Sequence, residues 1–164
     1  MRRIQAQPLD SRAFAAFGSV IDTAGRAAEA INDGTTQRFS DLAALDLRAP
    51  GRDPVVGIYV AQARAFPLRI AKLERHRQAA QVFLALGLHR FIVVVAEGAE
   101  VPRWDAVRAF ISAPGQGVSL HRGCWHHGLV ALADGDRFAV IEGGDYRNDT
   151  QEVAASAALE LAAP

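Results

Sequence analysis

The chain has 164 residues, half of them hydrophobic, and its 18 basic residues balance its 18 acidic ones. That length suits one domain, residues 1–164, with a core large enough to need no disulfide, and the composition excludes a disordered chain. The neutral charge lacks the basic excess that nucleic acid or an anionic membrane surface requires, and the longest strongly apolar run, Phe91–Ala96, is too short to span a bilayer.

The single cysteine, Cys124, excludes an intrachain disulfide and fits a reducing compartment. The first residues, MRRIQAQPLD, carry two arginines with no apolar run behind them, which is not the pattern of a signal peptide. These features point to a soluble cytoplasmic protein. Lys72 is the only lysine among the basic residues.

From the N-terminus, Ser11 to Phe17 reads as a short helix capped by Ser11 and ended by Gly18. Thr23 to Ala30 reads as a loop running into the tight-turn sequence Ile31-Asn32-Asp33-Gly34. Strands follow. Val55 to Val60 is β-rich, and Leu68, Ile70 and Lys72 alternate with Arg69, Ala71 and Leu73. Val82 to Leu86 and Phe91 to Val95 flank Gly87-Leu88-His89-Arg90, which suggests a hairpin with His89 in its solvent-exposed turn. Val107, Phe110 and Ile111 have helical spacing, so Trp104 to Ile111 reads as a helix of one or two turns. Short strands are expected at Val118–Leu120, Leu129–Leu132 and Phe138–Ile141, and the Ala-rich end, Val153 to Leu161, as helical or frayed. Many short strands with glycine-rich turns predict a mainly β protein, an antiparallel barrel or sandwich with a few short helices.

Four of the five histidines fall in two clusters, Leu73-Glu74-Arg75-His76 and His121-Arg122-Gly123-Cys124-Trp125-His126-His127. Residues two apart on a strand share a face, so Glu74 and His76 point the same way, Lys72 with them, and Arg75 the other way. His126 and His127 are adjacent and face opposite sides, and His126 is the better candidate for a pocket. His and Glu suit proton transfer because their surroundings move their pKa values toward neutrality. Each candidate also has a plain structural reading. His121 could be a satisfied polar residue lining a barrel, Trp125 a core residue, Asn32 a turn residue and Cys124 a small buried filler.

The clusters resemble the two short motifs of cupins. Glu74, His76 and Gln81 match the first, and Pro114, Gly117 and His121 approximate the second. A longer resemblance joins Ile31-Asn32-Asp33-Gly34, Leu73-Glu74-Arg75-His76, Gln81-Val82-Phe83, Phe91–Ala96, Arg108-Ala109-Phe110, Gly117-Val118-Ser119-Leu120-His121 and Trp125-His126-His127. Their order and spacing, from about Gln7 to Gly144, resemble the ureidoglycolate lyase family. That resemblance implies a cupin-like β-barrel and a homodimer. It also implies cleavage of (S)-ureidoglycolate into glyoxylate and urea during allantoin breakdown in purine degradation. Glu74, His76 and His121 are its candidate catalytic residues, and Asn32, Lys72, Gln81, Arg122, Trp125 and His126 its candidate substrate-binding residues. A divalent metal (nickel, manganese or zinc) would take Glu74, His76, Gln81 and His121 as ligands. The chain departs from the family pattern at Val60, Arg77 to Ala80 and Ile141-Glu142, where relatives carry an arginine, Pro-Leu-Gly-Ser/Thr and Asp-Arg. The departures leave two alternatives, another metal-dependent cupin enzyme acting on a small carboxylic acid and a non-catalytic binding module.

Overall fold

The computed structural model describes residues 1–50 and 52–164. In chain order its strands are β1 (Arg2–Ile4), β2 (Ala6–Pro8), β3 (Gly18–Ile21), β4 (Glu29–Ile31), β5 (Thr36–Arg38), β6 (Val55–Val60), β7 (Leu68–Arg69), β8 (Lys72–His76), β9 (Gln81–Ala85), β10 (Phe91–Ala96), β11 (Arg108–Ile111), β12 (Gly117–Leu120), β13 (Trp125–His126), β14 (Val130–Ala131), β15 (Arg137–Glu142), β16 (Thr150–Ala154) and β17 (Leu159–Leu161). One sheet runs β16-β8-β13-β10-β11-β2, with β14 also on β10, and a second runs β3-β12-β9-β15-β6. Smaller sheets are β1-β17-β7 and the β4-β5 hairpin. The fold is mainly β and cupin-like, in its sandwiched form. Among the described residues, no strand pairing closes the two large sheets into a ring.

Phe91–Ala96 is apolar throughout because both of its faces are buried. Phe91, Val93 and Val95 join Phe83, Phe110, Val118, Phe138 and Val140 in the core between the two large sheets. Ile92, Val94 and Ala96 point the other way, into a second core with Ile4, Leu68, Leu73, Trp125, Leu159 and Leu161.

This two-sided burial also explains where the structure departs from the local patterns. Val82–Leu86 and Phe91–Val95 are not a hairpin: β9 pairs with β12 and β15, and β10 with β11, β13 and β14. Residues 87–90 therefore cross from one sheet to the other. His89 is half-buried rather than in solvent, its ring edge-on to Phe138 at 4.9 Å. The expected helix over Trp104–Ile111 is a single 3₁₀ turn, Trp104–Ala106, followed by β11. Val107 and Ala109 enter the second core while Phe110 enters the first, an alternation of strands that coincides with helical spacing over so few residues. The Ala-rich end forms strands β16 and β17, held by burial of Leu159 and Leu161.

The first helix is shorter than expected, α1 (Ser11–Phe14), and its cap is Asp10, whose carboxylate accepts from the Arg12 and Ala13 amides. Gly18 opens β3 rather than ending the helix. A Cβ there would lie 2.1 Å from Ser119 O, so glycine is what lets β3 close on β12. Asn32, Asp33 and Gly34 form the β4-β5 turn with positive φ at all three.

Candidate active site

Strand parity builds the site. In β8, Leu73 and Arg75 point into the second core, where the Arg75 guanidinium lies 4.4 Å from the Trp125 ring. The intervening Lys72, Glu74 and His76 face the opposite sheet. Glu74 stands across from His126 on one side and Glu152 on the other, and His76 across from Thr150. On the second sheet, Gln81 pairs with Glu142 and Tyr59 with Phe138, all on the inward face. Tyr59, Glu74, His76, Gln81, Glu142 and Thr150 thus line one cavity of about 270 Å³, a size for a small organic acid.

Two of its lining residues, Glu74 and His76, have ligand atoms within 4.8 Å of each other and of one on buried His126, with His126 Nε2 3.6 Å from Glu74 Oε1. His126 Nδ1 donates to the Cys124 carbonyl at 2.9 Å, so Nε2 carries the lone pair. Burial pushes the His126 pKa down to about 3, which keeps the imidazole neutral. Among the described residues, His76 Nε2 and His126 Nε2 are buried without a hydrogen-bond partner. Burial holds the Glu74 carboxyl above its ordinary value, and His76 opposes that shift. On the facing wall, Gln81 Nε2 donates to Glu142 Oε1 at 2.7 Å, and the Tyr59 hydroxyl lies 3.3 Å from Glu142 Oε2. Burial, with the Glu142 charge second, raises the Tyr59 pKa to about 12. Gln81 Oε1 is left buried, with no hydrogen-bond partner among the described residues.

The structure therefore brings together Glu74, His76, Gln81 and His126. It does not bring His121 or Arg122 to them. Both follow β12 on an exposed turn beside a separate depression with Cys124, where His121 Nε2 lies 3.3 Å from Ala15 O and Arg122 pairs with Asp46. Glu74 and His121, both expected in the catalytic set, line separate cavities: β12 ends at Leu120, opposite Gln81, and the chain then turns away. The expected metal set loses His121 for the same reason and gains His126. Trp125 is fully buried on the other face of β13, and burial lifts the Cys124 thiol to about 12, where it is no nucleophile at neutral pH. Asn32 sits in the exposed β4-β5 turn, its amide 3.4 Å from Thr36 Oγ1. Lys72 is on the Glu74 face but is ion-paired with Glu152. Tyr59, Glu142 and Thr150 were not singled out as site residues from sequence. Glu142 had a signal: it ends the inward series Phe138, Val140, Glu142, where a charged side chain at a buried position is unusual.

A cupin-like sandwich with a carboxylate–imidazole cluster on the inner face of one sheet is an arrangement able to hold a small substrate or a metal ion. The sequence model of the family described as ureidoglycolate lyase matches residues 1–162. The chain is 43% identical over 142 residues to a ureidoglycolate lyase of Azotobacter vinelandii, covering 87% of this chain and 86% of that one. It is 40% identical over 152 residues to one of Pseudomonas aeruginosa, covering 93% and 90%. It is 41% identical over 149 residues to one of Burkholderia mallei, covering 90% and 87%. The chain belongs to the ureidoglycolate lyase family.

Proposed function

We propose that this protein is a carbon–nitrogen lyase that splits ureidoglycolate into glyoxylate and urea in allantoin breakdown, as one cytoplasmic domain. The observation that carries the reading is the cluster of half-buried Glu74 and His76 with buried His126, facing a wall of hydrogen-bond acceptors.

The reaction needs no water as a reactant. The hydroxyl O–H bond and the C–N bond break, a C=O bond forms, and one proton passes from the hydroxyl oxygen to the departing ureido nitrogen. Glu74 suits that transfer because its burial raises its proton affinity toward neutral pH. His76 Nε2, with no other partner, is the second proton carrier. The ureido group is rich in N–H donors, and Gln81 Oε1 and the Glu142 carboxylate are the acceptors that face it. The Gln81–Glu142 hydrogen bond fixes the amide so that its oxygen, not its nitrogen, is free.

The same donor set fits a divalent cation. Two buried imidazole nitrogens, at least one of them the neutral lone-pair form, stand beside a carboxylate, a combination that nickel, manganese or zinc accepts. A cation held by Glu74, His76 and His126 would polarise a substrate oxygen, with Glu74 and His76 then acting as its ligands in place of the proton-carrying roles above.

The outer face of β6 supports a homodimer. Val56, Ile58 and Val60 point away from the core and are exposed, and among the described residues the far edge of β6 has no strand beside it. A second copy covering this apolar edge removes it from water.

The test is glyoxylate release from racemic ureidoglycolate by purified protein, with and without added Ni²⁺, Mn²⁺ or Zn²⁺. The expected result is equimolar glyoxylate and urea from at most one enantiomer. Untouched substrate under every metal condition overturns the reading.

A further inference from the structure

A second cavity, of about 380 Å³, adjoins the first and is lined by Arg64, Arg69, Lys72, Glu74, His127 and Gly128. The two cavities share Glu74, Gly128 and Leu129, so Glu74 stands at their junction. Gly128 lines both cavities beside Glu74, and a Cβ there would make only ordinary contact with it, 3.9 Å from Glu74 Oε1. Along β8 the inward residues run Lys72, Glu74, His76, at about 6.6 Å per step. One step from Glu74 leads to the ureido-accepting wall, and the other to a cluster of cations. Within that cluster Lys72 is engaged by Glu152, and His127 Nδ1 is hydrogen-bonded to Gly128 O at 2.7 Å. Among the described residues, Arg64 and Arg69 have neither an ion-pair partner nor a side-chain hydrogen bond. Two free guanidiniums beside a proton-transfer group match a substrate whose carboxylate is bonded directly to the reacting carbon, because a guanidinium binds a carboxylate in bidentate fashion.

We propose that Arg64 and Arg69 form the subsite for the substrate carboxylate, on the opposite side of Glu74 from the ureido end. The inference rests on the ureidoglycolate reading above. It adds an orientation, with carboxylate toward Arg64 and Arg69, the reacting carbon at Glu74, and the ureido group toward Gln81 and Glu142. The carboxylate is unchanged between substrate and glyoxylate. Its binding therefore contributes equally to ground and transition states and belongs in KM.

The experiment compares wild type with the double variant Arg64→Met, Arg69→Met, using glycolate as a carboxylate probe and urea as a neutral one. Arg38→Met, at a surface arginine paired with Glu29, is the control. The double variant is expected to raise KM about tenfold or more, with kcat within about threefold. Inhibition by glycolate should weaken by the same factor and inhibition by urea should be unchanged. Unchanged KM and glycolate inhibition overturn the proposal, and so does an equal loss of glycolate and urea inhibition. Should the double variant fail to fold, the single substitutions Arg64→Gln and Arg69→Gln repeat the comparison. Calorimetric titration with glycolate separates this inference from the lyase reading. If wild type shows no turnover but binds glycolate, and the variant does not, the subsite stands and the activity falls. If wild type binds no glycolate, the subsite falls too.

Discussion

Phe138 and Glu142 occupy the same face of β15, four residues or about 13 Å apart, and substitutions at the two should have opposite signatures. Phe138 is fully buried, with edge-on contacts to Phe91 at 5.3 Å and His89 at 4.9 Å. Truncating a buried phenylalanine costs about 3–5 kcal/mol, and two lost aromatic contacts put Phe138→Ala in the upper half of that range. At about 2–4 °C per kcal/mol for a chain of this size, its melting temperature should fall by roughly 8–20 °C. Glu142→Gln keeps the shape and can still accept from Gln81, so its stability should stay within about 1 kcal/mol of wild type. It exchanges a charged acceptor for a neutral one, a difference of about 1.4 kcal/mol for one hydrogen bond, or roughly tenfold in kcat/KM. Thermal denaturation followed by circular dichroism gives the stabilities, with Leu88→Ala, at an exposed position, as reference. Glyoxylate release below each midpoint gives the activities. The reasoning is refuted if Glu142→Gln keeps full kcat/KM, or if folded Phe138→Ala loses activity as Glu142→Gln does.

Glu74→Gln and His126→Ala should each lower kcat/KM by about 10²-fold or more, whereas His121→Ala, on its exposed turn, should retain activity within a few-fold; steady-state kinetics on variants with native circular dichroism decides. The buried, neutral His126 makes stability pH-dependent in a defined direction. The unfolded chain protonates His126 near 6.5 and the folded protein only near 3, so its contribution is present above pH 6.5 and is lost as pH falls toward 3. Denaturation midpoints of chelator-treated protein between pH 7 and 4.5 should fall more steeply for wild type than for His126→Gln, and equal slopes would count against a neutral His126. Ile58→Lys, on the bare face of β6, should convert a dimer to a species of the 17.6 kDa chain mass in light scattering, and an unchanged mass would place the interface elsewhere.

The patterns legible in sequence were those set by nearest neighbours. Period-two alternation in β8 placed Glu74 and His76 on one face with Arg75 on the other, because successive side chains of a strand point to opposite sides. The turn at Asn32-Asp33-Gly34 followed from residues that tolerate positive φ. The motif order was enough to indicate the family. Partner choice between strands was not legible, because β9 and β10 are each apolar enough to belong to either sheet and a four-residue connection serves a hairpin or a crossover. Helical spacing over Val107–Ile111 was ambiguous for a related reason: a strand buried on both faces loses its alternation. The site was divided along the same line. Its β8 half could be read locally, while Tyr59 and Glu142 reach it only through pairing of β6, β15 and β9, strands far apart in the chain, as in the contact of Tyr59 with Glu142, 83 positions on. His121 shows the converse, since its place in a motif says nothing of where the chain turns after Leu120. Local periodicity determined which way each side chain faces, and only the packing of one sheet on the other decided what it faces.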